Sequence, residues 1–328
     1  MNRIILIVWL LVVMDFGTPG RPSLAKPSRA QGHTTPAVQV DMRNVMYHFT
    51  DQIAVHIHQL HGRVLPTQRA RFPVFDDVQS FTFAIAFAEI ALSTETLSHV
   101  LNHYVFAAPD APLKDITVTT TDNNRLKVQG KLHTKSDLPF AMEGTPAATP
   151  EGHIRLHTHT ITVAYVSVKG LLDVLGLKIA QLVNTDTVPG VRLEGNDLIL
   201  DPAQLLPPPR IAGRVTAVHA QGEQILQVFG TKPPAGVPPA HQGNYMAYRG
   251  GQLRFGKLTM AETDLVLIDL DPEEPFDFCL DHYKEQVGAG YAKMTADAGL
   301  RVFTRDCNKI QPPLPPQPRP KVPTASAR

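Results

Sequence analysis

Ser80-Phe81-Thr82-Phe83-Ala84-Ile85-Ala86-Phe87-Ala88-Glu89-Ile90-Ala91-Leu92 is the stretch that decides the fold class. Large apolar side chains at Phe81, Phe83, Ile85 and Phe87 alternate with Thr82, Ala84, Ala86 and Ala88. A period of two means a strand, here with one crowded face and one nearly bare face that lets something approach closely. Ser93 and Thr94 then offer N-cap oxygens. Leu97, Leu101 and Val105 follow at i, i+4 and i+8, which predicts a helix ended by Pro109 and Pro112.

The pattern continues on both sides. Upstream, Ile53, Val55 and Ile57 against His56 and His58 read as a strand with one wet face. Downstream, Thr117 to Thr121, the turn Asp122-Asn123-Asn124, and Leu126 with Val128 read as a hairpin. His153 to Val168 reads as one long strand broken by Lys169-Gly170. A helix is predicted from Leu171 to Val183, with Leu171, Leu175, Ile179 and Leu182 in one stripe and Leu172 beside it. Gly190 to Leu200 returns as strand around Gly195-Asn196, and Gly213 to Gly230 is a second hairpin turning at Gln221-Gly222. A last unit holds strands over Gln252–Met260, Asp264–Asp269 and Leu300–Thr304, with a helix near Phe278–Tyr291. Hairpins and single helices mix without β-α-β alternation, so a doubly wound parallel sheet is excluded in favour of α+β with mainly antiparallel strands.

The ends carry an address. Asn2 and Arg3 precede the apolar run Ile4 to Met14, and Ser23-Leu24-Ala25 is a small-x-small site. That layout is a secretory signal peptide over residues 1–25, cleaved near Ala25 or kept as a tether. The run is short of the ~20 apolar residues a spanning helix needs. Residues 26–37 read as a linker, 38–230 as the main α+β domain, and 231–243 as a Pro/Gly linker. Residues 244–310 form a C-terminal α+β unit packing on the first, and 311–328 a disordered Pro-rich tail. The 328 residues carry a formal net charge of +1, so no basic surface is forced and nucleic acid is excluded as a partner. The two cysteines, Cys279 and Cys307, either close a disulfide in an oxidising compartment or stay as two buried thiols.

Chemistry is sparse. His56-x-His58-x-x-His61 and the group His153, His157 and His159 place imidazoles on shared strand faces, where they are either weak metal candidates or polar decoration. Asp269, Asp271, Glu273, Glu274 and Asp277 form an acidic loop. It fails as an EF-hand, with Glu274 where glycine is needed and Leu280 where glutamate is needed, and reads as a solvated turn. There is no G-x-S-x-G elbow, Walker loop, H-E-x-x-H or G-x-G-x-x-G helix start, so no catalytic residue and no cofactor is assigned. The stripe Phe81, Phe83, Ile85, Phe87 and the helix residues Leu171, Leu172, Leu175, Ile179 and Leu182 read either as one core or as an apolar groove open to acyl chains.

Several stretches between Ile116 and Gly230 resemble the LmeA-like phospholipid-binding family of bacterial envelope proteins. They are Asn124-Arg125-Leu126-Lys127-Val128-Gln129-Gly130, Gly152-His153-Ile154-Arg155-Leu156, the helix Leu171 to Val183, Gly213-Arg214-Val215-Thr216-Ala217-Val218 and Gln227-Val228-Phe229-Gly230. The resemblance implies a curved, mainly antiparallel sheet packing on one or two long amphipathic helices, akin to the tubular lipid-binding fold. It also implies phospholipid or another acyl lipid held in the apolar groove, in the periplasm or cell envelope, for lipid transfer or envelope maintenance. The partner expected is a lipid or membrane surface. Two other readings stand beside it: an exported hydrolase or metal-dependent enzyme on the His-rich strands, and a structural envelope protein that binds other proteins.

Overall fold

The computed structural model describes residues 37–121, 123–133, 137–164, 166–167, 188–233 and 238–310. Along β1 (Val38–Thr50), Val38, Val40 and Met42 are buried while Gln39, Asp41 and Arg43 are not. The antiparallel β2 (Ile53–Pro66) and β3 (Phe81–Ser93) follow the same alternation. All three strands then switch faces. Two residues rather than one separate Met42 from Val45, Ile57 from Leu60, and Ile85 from Ala88 among the side chains of the shared core cluster. The β2–β3 register shifts at the corresponding places. Such irregularities bend the strands and re-aim side chains. On β1 the switch falls at Asn44, whose φ of 51° is one that asparagine tolerates.

The main sheet has eleven strands among the described residues. Its path is β12 (Val215–Gln221), β13 (Gln224–Phe229), β3, β2, β1, β14 (Tyr245–Arg249), β17 (Asp264–Asp269), β20 (Leu300–Thr304) and β19 (Tyr291–Met294). β11 (Arg210–Ala212) adds in parallel to β3. The second edge of β1 is shared. β14 pairs with Gln39 to Arg43, and β18 (Phe276–Cys279) pairs in parallel with Val45 to His48. At the change-over Asn44 donates to Asn244 at 2.8 Å and accepts from His56 at 2.8 Å, satisfying polar groups where the ladder changes partner.

A second, seven-stranded sheet runs β4 (Leu113–Thr121), β5 (Arg125–Leu132), β6 (Leu138–Ala148), β7 (Ile154–Val163), β10 (Asp197–Leu200) and β9 (Val191–Glu194), with β8 (Val166–Ser167) paired to β7. Its buried side chains, among them Val118, Val128, Met142 and Leu156, join the buried face of the main sheet in one continuous apolar cluster. Helix α1 (Thr94–Val100) leads from β3 toward this sheet, its first turn capped by Ser93 accepting from the Thr96 N–H. A π-helical turn, Leu101–Val105, continues it. Asn102 both donates to and accepts from the Ile116 backbone at 2.7 Å, and Ser98 Oγ accepts from the Val118 N–H at 2.8 Å, so α1 is stitched to β4.

These observations correct the expected fold class. The described helices are α1 with its π turn, α2 (Pro202–Leu205), α3 (Tyr283–Ala289) and short 3-10 turns. The α+β arrangement of a curved sheet on one or two long amphipathic helices gives way to a mostly β protein with two large sheets. Apolar strand faces that a long helix was expected to cover are buried between the sheets. The helix expected over Leu171–Val183 lies outside the described residues. The long strand expected over His153–Val168 instead turns at Ala164, with φ 49°, into β8. The strand expected over Gln252–Met260 is a hairpin of β15 (Leu253–Phe255) and β16 (Leu258–Met260), reversed at Gly256 with φ 58°. The helix expected near Phe278–Tyr291 begins as β18, passes through a 3-10 turn at Leu280–His282 and becomes α-helical only at α3.

The C-terminal strands are tied down by several devices. Cys279 and Cys307 are disulfide-bonded, with Cα atoms 5.8 Å apart. Gln286 on α3, fully buried, donates to the carbonyls of Asp277 (2.8 Å) and Arg305 (2.9 Å) and accepts from the Cys279 N–H (2.9 Å). Phe75, from the β2–β3 connection, lies edge-on to Phe255 at 5.0 Å and Tyr283 at 5.1 Å between centroids. Edge-to-face aromatic contacts of this kind add roughly 0.5–1.5 kcal/mol beyond area burial.

Candidate functional site

Among the described residues, the apolar layer between the sheets is not filled. One cavity, about 80 Å³, lies against the inner face of the main sheet. Tyr47, Ile57, Phe83 and Ile90 are on its wall, closed by Leu97 and Val100 of α1 and by Leu205 of α2; Gln227 is the one polar lining residue described. A second cavity, about 120 Å³, lies against the inner face of the second sheet, and every described side chain around it is apolar. Leu97, Leu126, Ile154 and Leu200 line both cavities, so the two adjoin.

The chemistry of such a space is simple. A void of ~150 Å³ lined by leucine, isoleucine and phenylalanine stays dry and accepts small hydrophobes. Protein interiors otherwise pack as densely as organic crystals. At ~24 cal/mol per Å³, voids of these sizes forgo roughly 5 kcal/mol of packing that an aliphatic occupant could restore. Among the described residues the wall carries no charge and few hydrogen-bonding groups, so the site rewards burial of CH₂ groups, at ~0.8 kcal/mol each, far more than anything polar.

The residues singled out from the sequence fall in several places. Phe83 and Ile85 line the first cavity. Phe81 is buried in the same cluster and packs edge-on to Phe83 at 5.4 Å. Phe87 does not share their face. The two-residue step after Ile85 places it against His61, with ring centroids 6.5 Å apart, and Ala88, Ile90 and Leu92 take up the core side. Leu171, Leu172, Leu175, Ile179 and Leu182 lie outside the described residues. Leu97, Leu126, Ile154 and Leu200, which join the cavities, are read from the sequence only as helix and strand positions and not as site residues; the signal for three of them is the apolar alternation of the second sheet.

The histidines do not assemble into one centre. β2 and β7 belong to different sheets. The rings of His56 and His58 lie 4.2 Å apart, tilted by 51°, and burial, followed by the neighbouring His58, lowers the pKa of His56. His157 contacts Asp197 at 2.8 Å and His159 contacts Thr145 at 2.8 Å, both on the exposed side of the second sheet. His153 lies 3.8 Å from Asp201. The acidic loop is not simply solvated. Asp269 and Asp306 are buried, and burial raises both pKa values. Lys309 lies 3.0 Å from Asp306 and 3.7 Å from Asp271, and Arg305 lies 3.6 Å from Asp271, so protein cations already stand where an ion would sit. His48, Asp277 and Cys279 also lie close together, but the Cys279 sulfur is bonded to Cys307 and is not a thiolate ligand.

Among the described residues no helix is long and apolar enough to cross a membrane. Compared with known proteins, the chain matches no family model, no curated protein and no solved structure.

Proposed function

We propose that this protein is exported and binds the aliphatic chain of a lipid in the apolar layer between its two sheets. The observation that carries the reading is the pair of adjoining cavities walled almost wholly by apolar side chains. The leader-like N-terminus supports export, and the Cys279–Cys307 bond fits an oxidising compartment such as the periplasm or cell envelope. The cavities are smaller than a full acyl chain, so uptake requires the walls to part. Among the described residues the two sheets share no ladder; they meet through side-chain packing and a few bonds at their margin, such as Val215 N–H to the Gly152 carbonyl at 3.1 Å, so parting the apolar layer need not break either sheet.

The test is displacement of a fluorescent fatty acid from the full chain, together with mass spectrometry of lipids that co-purify with it. Leu126→Phe places a ring where the cavities adjoin. A folded Leu126→Phe protein with uptake reduced at least several-fold supports the reading. Wild-type protein that neither co-purifies with lipid nor takes up the probe overturns it. The hydrolase reading on the His-rich strands gains no support, because those strands lie in different sheets.

A further inference from the structure

The other face of the main sheet has a different chemistry. Cross-strand neighbours point to the same side, and the register sets Arg249, Gln39, Arg63 and Ala84 in one row across β14, β1, β2 and β3. The next row along the sheet contains Ala247, Asp41 and His61. Ala84, Ala86 and Ala247 keep the floor low. A Cβ at Gly62 would stand 2.5 Å from the Ala84 carbonyl oxygen, so no larger residue fits there. The result is an open depression of about 430 Å³ between two arginines.

We propose that this depression binds a phosphate ester, with the phosphate held between the guanidinium groups of Arg63 and Arg249. Neither arginine forms an ion pair or a side-chain hydrogen bond with the described residues, and neither does Arg43 beside the same trough, whereas Arg125, Arg155, Arg192, Arg301 and Arg305 have carboxylate partners. Two strand spacings separate them, roughly 10 Å, which two extended arginine side chains can close around one anion. Guanidinium forks match phosphate oxygens in pairs. Gln39 lies between the two arginines in the row and adds an amide donor.

His61 completes the cluster. Its Nδ1 contacts the Asp41 carboxylate, which also accepts from the Tyr245 hydroxyl. A carboxylate only accepts, so Nδ1 carries the proton and Nε2 remains for the ligand. Asp41 and His61 are shared with an adjoining depression of about 400 Å³, bordered by Arg43, Gln59 and Glu89. Gln59 donates to Glu89 at 2.9 Å. These donors and acceptors suit the hydroxylated remainder of an ester better than an apolar one. The charged groups facing the trough are Arg43, Arg63 and Arg249 against Asp41 and Glu89, which favours an anion.

Such an ester comes either as a free solute or as a lipid headgroup. The experiment titrates the full chain with inorganic phosphate, with glycerol 1-phosphate, and with vesicles of phosphatidylglycerol or of phosphatidylcholine. Glycerol 1-phosphate or phosphatidylglycerol vesicles are expected to bind, and inorganic phosphate to bind more weakly. Arg63→Gln and Arg249→Gln should each weaken binding about tenfold and the double variant abolish it. Arg125→Gln, on the second sheet, should change nothing, and melting curves of all variants should match. Binding of the solute alone identifies a free ester; binding of phosphatidylglycerol vesicles alone identifies a headgroup. No binding to any probe, or binding that the double variant leaves intact, overturns the proposal. Fatty-acid uptake reads the opposite face of the sheet, so failure there and failure here are separate results.

Discussion

The two-sheet half of the molecule and its C-terminal strands bury apolar surface in opposite ways. Around α3 the chain is crowded and cross-linked: Phe75 contacts four aromatic rings, Gln286 satisfies three backbone groups, and a disulfide closes the segment. Between the sheets there are voids and, among the described residues, no cross-link. What differs is whether every contact has been taken up, and the proposed uptake of an aliphatic chain rests on that difference.

The largest expected effect breaks the crowded region. Phe75→Ala should cost roughly 3–5 kcal/mol, because it leaves a hole among rings that cannot collapse into it. Urea unfolding measures this, and a loss below ~1 kcal/mol would mean the aromatic cluster is not tightly packed. Reducing the Cys279–Cys307 bond should cost about 3–4 kcal/mol from the loop it closes, read as a lower unfolding midpoint with reductant.

Adding volume sharpens the contrast. Val266→Phe, at a fully buried position of β17, should destabilise by ~1–3 kcal/mol through overpacking. Leu126→Phe, at the joined voids, should be close to neutral. Equal losses in both would remove the distinction between the regions.

Titration gives the smallest effects. Burial, with the Asp41 contact behind it, pushes the Tyr245 hydroxyl up to about 12. An unfolded tyrosine releases its proton near ~10. The unfolded chain therefore loses a proton first, and stability falls as pH rises between those values; Tyr245→Phe should flatten that fall. At the acid end, burial raises the Asp277 pKa, but His48 at 2.5 Å, with smaller help from Asn308 and Lys309, outweighs it and holds the carboxyl below its ordinary range. Its contribution is present above the unfolded value of ~4 and is lost as pH falls through the folded one. Asp277→Asn should blunt the acid side of the stability profile, read from melting temperatures across pH.

Much of the local structure was legible. Ser93 caps α1, Asn123 and Asn124 take positive φ in the β4–β5 turn, and Gly195 and Gly222 reverse their hairpins. Each depends on a residue's own φ preference or on one neighbouring side chain. Phe87 was misread because a bulge is specified by the strand alongside, not by the strand's own alternation. Ala164 gave no warning of a turn, since alanine has no preference for the left-handed region it occupies. The crowded-face strand was recognised, but what covers it was not: an apolar stripe packs equally well on a helix or on another sheet.

By itself the sequence determined most of the strands, the turns marked by asparagine and glycine at Asn123-Asn124, Gly195 and Gly222, and the two cysteines available to pair, because these follow from periodicity and residue chemistry over short distances. Only the tertiary structure decided that β1 divides its edge between β14 and β18, that three strands change face together, and that the histidines go to separate sheets. It also decided that Arg63 and Arg249 share one row. The reason is physical: long-range pairing is selected by the summed burial of whole sheet faces, a quantity that no short window of sequence contains.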